Sequence, residues 1–196
     1  VDFGAARNVG EDDLLHSVEE AASAPLDASA VEALREAVAS AGSILYLGDN
    51  AGEIVLDRLL IEEMPTARVT FAVRGSAVIN DVTRDDAEQV GLTGIVETVD
   101  NGSDAPGTVL EDCRPDFVRR FRDADLIIAK GQGNYETLSD VPAPIFFLLK
   151  VKCPVIARDL SLPVGAFLVR QGSAEGPDGG PGVPFQRRPL PRASDS

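Results

Sequence analysis

Near-continuous apolar runs, set between amphipathic stretches, constrain the fold of this chain more than any other feature. SILYLG (Ser43 to Gly48), RVTFAVRG (Arg68 to Gly75), ADLIIAKG (Ala124 to Gly131) and APIFFLLK (Ala143 to Lys150) read as strands, with GIVETVD (Gly94 to Asp100) as a shorter one. A strand covered on one face alternates apolar and polar residues, whereas a strand covered on both faces is apolar throughout. The intervening stretches carry helical spacing. Between Glu11 and Ala24, residues Leu14, Leu15, Val18, Ala21 and Ala22 fit one helix, closed by Pro25. Val31, Leu34 and Val38 fit a second, capped by Asp27 or Ser29. A third points Ile54, Val55, Leu59 and Leu60 inward and stops at Pro65. DVTRDDAEQVG reads as a short helix ended by Gly91, and RPDFVRRFRDA as one with Phe117, Val118 and Phe121 on its apolar side. CPVIARDL and VGAFLVRQ are further short apolar runs, expected at the far edge of the sheet.

Strands alternating with helices predict a three-layer α/β/α sandwich with a mostly parallel, Rossmann-like sheet. The expected organisation is a helical lead-in over residues 1–42, an α/β domain over 43–170, and a Gly/Pro/Arg-rich tail over 171–196. The tail lacks apolar periodicity and reads as disordered, with Arg187, Arg188 and Arg192 solvated.

Charge narrows the function classes. Eighteen basic against thirty-two acidic residues give a net charge of -14, which argues against nucleic-acid and anionic-membrane partners. An anionic substrate stays open, because a bound divalent cation inverts the local field. Cys113 and Cys153 lie far apart with no CxxC and read as reduced thiols of a cytoplasmic protein. His16 stands alone, which disfavours a histidine-built zinc site. No basic n-region with an apolar h-region is visible, and the longest apolar run is broken by Lys150 and Lys152.

In open parallel sheets ligands bind beyond the carboxyl ends of the strands. Asp49, Asn50 and Glu53 come after the first strand, Asn80 and Asp81 after the second, Asp100 and Asn101 after the third, and Lys130, Gly131, Gln132, Gly133, Asn134 and Glu136 after the fourth. Asp49, Asn50 and Asp81 form a candidate metal set, since carboxylate and carboxamide oxygens suit hard cations. A turn and then a helix cap explain Asp49-Asn50 equally well by themselves, and a cap explains Asp81. Lys130, straight off an apolar strand, calls for a ligand or a carboxylate partner such as Glu53. The glycines of KGQGN allow backbone N–H groups to turn toward an anion. GDNAGE lacks GxGxxG spacing and no Walker lysine comes after it, nor is there a GxSxG elbow or a Cys/His pair. A methyltransferase reading rests only on the strand leading into Gly48-Asp49.

Together, YLGDNAGEIVLDRLL, VINDVTRDDA and LIIAKGQGNYETL resemble the metal-dependent damage-control phosphatases, formerly a domain family of unknown function. FFLLKVKCPVIA and the opening VDFGA are similar to its small archaeal and bacterial branch, and the resemblance runs from Val1 to Arg170. It implies the three-layer fold and a divalent cation (Mn²⁺, Mg²⁺, Co²⁺ or Ni²⁺) held by Asp49, Asn50 and Asp81. It implies that Lys130 contacts substrate phosphate, with Asn80, Asn134 and Gly131 in the matched substrate-binding segments. Asp49, Asp81, Glu53 and Lys130 form the candidate catalytic set; either Glu53 or Asp81 accepts the proton of a metal-bound water, or the reaction passes through an aspartyl-phosphate. The implied partner is a small phosphorylated metabolite, a sugar phosphate or a damaged phosphometabolite. Family members carry an N-terminal helical region ahead of the DFG stretch that this chain lacks, and the tail is extra. A truncated, non-catalytic metal- and phosphate-binding member is therefore the alternative. NGSDAPGT (Asn101 to Thr108) is the expected specificity loop by position.

Overall fold

The computed structural model describes residues 18–172. The tail beyond them, His16 and most of the first expected helix lie outside that range; of the helix, residues 18–23 are described and helical. In chain order the elements are α1 (Ala28–Ser40), β1 (Ile44–Leu47), α2 (Ile54–Glu62), β2 (Val69–Val73), α3 (Arg84–Gln89), β3 (Glu97–Asp100), α4 (Pro115–Asp123), β4 (Leu126–Lys130), α5 (Gly131–Leu138), β5 (Ile145–Lys150), α6 (Pro154–Leu160) and β6 (Phe167–Gln171).

The sheet runs β3-β2-β1-β4-β5-β6. Pairings from β3 through β5 are parallel, and β6 closes the edge antiparallel to β5. The chain leaves β1 toward β2 and β3, then returns to lay β4 on the other side of β1. That reversal makes the β1/β4 boundary the switch point, where a crevice opens beyond the strand ends.

Successive residues of β1 face opposite ways, which builds two cores. Ile44 and Tyr46 join Phe71 and Ile128 under α1, α2 and α3. Leu45 and Leu47 join Ile127 and Ala129 under Phe117 and Phe121 of α4, Leu138 of α5 and Ile156 of α6. All four β1 residues are buried, as the unbroken ILYL run requires. Each such large apolar side chain contributes roughly 1.5–3 kcal/mol by leaving water.

Local signals explain the helix ends. Asp27 caps α1, accepting from the Ser29 backbone N–H at 2.8 Å. Thr83, not Asp81, caps α3, in a reciprocal box with Asp86. Gly91 takes φ 72° and closes that helix.

Two expectations are corrected. The inward residues of α2 are Ile54, Asp57 and Ile61, whereas Val55 and Leu59 are more than half exposed. An acid at an inward position interrupts the apolar stripe and rotates the apparent face. CPVIARDL is also not an edge run: Pro154 starts α6, which packs Ile156 and Leu160 on the sheet. Only the VGAFLVRQ segment reaches the far edge, as β6.

Candidate functional site

The site begins with Gly48. A Cβ there would lie 2.6 Å from Val82 and 2.8 Å from the Phe71 ring, so only glycine lets the chain leave β1 this close to its neighbour. The next residues zip to the segment after β2. Val82 N–H donates to the Asp49 carbonyl at 2.7 Å, Ala51 N–H donates to the Asn80 carbonyl at 2.9 Å, and Asn50 and Asp81 form an antiparallel bridge. Two segments about thirty residues apart in sequence therefore bring Asp49, Asn50 and Asp81 together. Asn80, half-buried, flanks them.

The amide nitrogen of Asn50 donates to Asp49 Oδ2 at 3.0 Å and to Glu53 Oε1 at 3.1 Å. Its nitrogen is what faces the carboxylates. Asp81 Oδ2 accepts from Arg74 Nε at 2.6 Å, within a pair whose side chains are 2% and 8% exposed. The Asp49 carboxylate lies against Gly131, where a Cβ would fall 1.9 Å from Oδ2 and where φ is +78°. Gly131 thus opens α5 beside an acid that no other residue would admit.

Lys130 is held on the other wall. Its Nζ donates to Asp57 Oδ1 at 2.6 Å and lies 3.4 Å from Glu53 Oε2. The Tyr46 hydroxyl donates to the same Asp57 Oδ1 at 2.7 Å. The sequence expectation of an ion pair with Glu53 is met, but Asp57 is the nearer partner.

Asn134 sits in the matched segment yet does not face the crevice. It is fully buried; its Nδ2 donates to the carbonyls of Lys130 (2.7 Å) and Gly48 (3.2 Å), and its Oδ1 accepts from Thr108 Oγ1 at 2.7 Å. It ties the ends of β1 and β4 to the 101–108 loop, and Arg74 Nη1 reaches Thr108 at 3.4 Å.

Burial is the largest influence on the charged groups of the site. Burial pushes the Asp49 carboxyl up to about 6, with Glu53 and Asp81 adding to the shift and Lys152 and Arg74 opposing it. Burial works the same way on Glu53 and is the largest influence on it, while the Lys130 charge beside it and the hydrogen bond from Asn50 favour its carboxylate form. Burial disfavours charge on Lys130, yet Asp57 and Glu53 hold its ammonium above the usual lysine value.

A cavity of about 530 Å³ adjoins these groups, lined by Asp49, Glu53 and Lys130, by Lys150 and Lys152, and by apolar residues including Leu149. Among the described residues no three His, Cys, Asp or Glu side chains cluster closely enough to form a metal cage. The candidate donors are the Asp49 and Asp81 carboxylates and, with its amide turned so that oxygen replaces nitrogen, Asn50. Such a set fits a hard cation that keeps water or substrate oxygens in its remaining positions, and a cation there would offset the burial that disfavours charge on Asp49.

Tyr46, Asp57 and Arg74 belong to the site but are not among the residues that the sequence alone singles out, whereas Thr108 enters it from the expected 101–108 loop. Arg74 carries a usable signal: it leaves the buried VTFAV strand just as Lys130 leaves LIIAK. Asp57 also carries one, at four residues after Glu53 and three after Ile54 on a single helical face.

Fold and site together define an α/β protein with buried carboxylates and a lysine beside a largely apolar cavity at the switch point of its sheet. The chain belongs to the damage-control phosphatase ARMT1-like domain family, whose model matches residues 1–168. It is 43% identical over 139 residues to a damage-control phosphatase of Pyrococcus horikoshii, covering 69% of this chain and 48% of that protein. It is 40% identical over 135 residues to a damage-control phosphatase of Archaeoglobus fulgidus, covering 67% and 47%. An uncharacterized protein of Methanocaldococcus jannaschii is 41% identical over 128 residues, covering 62% and 42%. The chain thus spans a little under half the length of these relatives. The crystal structure of a DUF89 family protein from P. horikoshii superposes with a TM-score of 0.76 at 37% identity, covering 85% of this chain and 60% of that one.

Proposed function

We propose that this chain carries the active site of a divalent-metal-dependent phosphatase that hydrolyses small phosphate esters, sugar phosphates or damaged phosphometabolites. The observation that carries the reading is the meeting of Asp49, Asn50, Asp81 and Lys130 at the adjacent ends of β1, β2 and β4. Family membership and the two relatives named damage-control phosphatases support it.

Asp49, Asn50 and Asp81 would hold the cation, Mn²⁺, Mg²⁺, Co²⁺ or Ni²⁺. When bound, such an ion supplies positive charge that offsets the phosphate oxygens. The chain's own groups do the rest. Lys130, paired with Asp57 and Glu53, presents its ammonium at the cavity wall to a phosphate oxygen. The first turn of α5, opened by Gly131 and Gly133, offers the same anion the backbone N–H groups that a helix start leaves without intrahelical partners. Glu53, which lines the cavity beside Lys130, or Asp81 would take a proton from the attacking water. The partner is a small phosphorylated metabolite rather than nucleic acid or membrane, which the net charge of -14 supports. The free Cys113 and Cys153 support a cytoplasmic setting. Among the described residues no helix is long and apolar enough to cross a membrane.

The test is p-nitrophenyl phosphate and a sugar-phosphate panel, assayed after chelator treatment and again after each metal is restored. Turnover should require a divalent ion and vanish in Asp49→Ala. Turnover without metal, or full activity in Asp49→Ala, would overturn the reading. Metal and phosphate binding without turnover would assign a binding role instead.

A further inference from the structure

Asp57 is buried, at 3% side-chain exposure, and does not line the cavity, so it has no direct route to a ligand there. Three elements nevertheless converge on it. It projects from α2; Lys130 reaches it from the end of β4; the Tyr46 hydroxyl reaches it from β1. Both donors meet one oxygen, Oδ1, at 2.6 and 2.7 Å, while among the described residues Oδ2 has no hydrogen-bond partner. A carboxylate placed between a helix and a sheet loses its hydration, and a charged partner must compensate it. The Lys130 ammonium is that partner, at 15% exposure.

Glu53 stands differently toward the same lysine. It lies one helical turn before Asp57, lines the cavity, and is 3.4 Å from Nζ rather than 2.6 Å. The pairing is therefore unequal: one short, enclosed contact and one longer contact at the cavity wall.

We infer that Asp57, braced by Tyr46, is a positioning residue that fixes the Lys130 ammonium at the cavity wall, and that Glu53 is the exchangeable partner an incoming phosphate displaces. The inference rests on the reading that Lys130 meets substrate phosphate. Under it, a flexible amine is aimed before substrate arrives, and Glu53 leaves the ammonium without leaving it unpaired. The charged groups facing Lys130 are Asp57 on α2 and Glu53 ahead of it; the Tyr46 phenol faces it through Asp57.

The pH dependence of Lys130 acetylation, read by peptide mass spectrometry on the full chain, tests this directly. In Asp57→Asn the midpoint should fall by about one pH unit or more, because one of two compensating charges is gone. In Glu53→Gln it should fall by less than about half a unit. A merely loosened structure raises the extent of labelling without moving its midpoint. An unmoved midpoint in Asp57→Asn, or a larger shift in Glu53→Gln than in Asp57→Asn, would overturn the inference. If Asp57→Asn does not fold, the Glu53→Gln midpoint decides alone: a shift beyond about one unit makes Glu53 the anchor and rejects Asp57. Calorimetry with inorganic phosphate and Mn²⁺ separates the inference from the reading beneath it. Binding should weaken about tenfold in Asp57→Asn. A chain that binds no phosphate but shows the midpoint shift keeps Asp57 as the anchor and loses the phosphate role of Lys130.

Discussion

At the residue scale, Asp49 carries a heavy electrostatic burden. Its carboxyl, raised to about 6, holds a proton in the folded chain that an unfolded aspartate releases near pH 4. Its contribution to metal-free stability is therefore complete below about pH 4 and is lost as the pH rises through 6. With metal removed, Asp49→Asn should be more stable than wild type at pH 7.5 by about 2 kcal/mol, and the difference should shrink toward pH 4.5. Thermal melts of both chains across that range measure it; a difference that stays constant with pH would contradict the assignment. Cys113 makes a second residue-scale prediction. Burial pushes its thiol up to about 11, so it should stay unmodified by iodoacetamide at pH 8 until the chain unfolds. Modification of Cys113 in the native state, detected by mass spectrometry, would show that it is not enclosed.

At the scale of elements, the site depends on how β4 turns into α5 and how β1 leaves the sheet. Gly131→Ala places a methyl group against Asp49 and forces a side chain into φ +78°. It should cost about 2–4 kcal/mol in denaturant unfolding and weaken Mn²⁺ binding as well. A loss below about 1 kcal/mol with unchanged metal binding would show that the close approach is not required. Thr83→Ala, which removes the α3 cap beyond the site, should cost only about 1 kcal/mol and leave metal affinity as it was. The elements themselves are largely legible in the sequence. Apolar runs mark the strands because both faces of β1 and β4 are covered. The inward face of α2 is not legible, because Asp57 occupies a core position and its burial is offset by Lys130 and Tyr46. Composition contains no trace of that pairing.

At the scale of the whole molecule, two halves of a parallel sheet diverge around β1, and the polar residues collect where they part. That convergence can be anticipated from the order of the strands and from the residues at the carboxyl end of each. The cross-links within it cannot. Arg74 reaches Asp81 and Thr108, and Asn134 ties β1 to β4, through contacts set by the packing of the 101–108 loop. Asn134, expected from the sequence to contact substrate, commits both its amide nitrogen and its oxygen inside this scaffold. Phe121, fully buried between α4 and the sheet, should cost about 3–5 kcal/mol on truncation to alanine, a loss readable as a lower denaturant midpoint. A near-neutral effect would mean that the second core is not packed as described.

The central claim is that Asp49, Asn50 and Asp81 share one divalent cation. Titration of the chelator-treated chain with Mn²⁺, monitored by electron paramagnetic resonance of the free ion, measures it without relying on turnover. We predict one bound ion per chain, with affinity reduced about tenfold or more in each of Asp49→Ala, Asn50→Ala and Asp81→Ala. Absence of binding in wild type, or wild-type affinity in all three variants, would contradict the account.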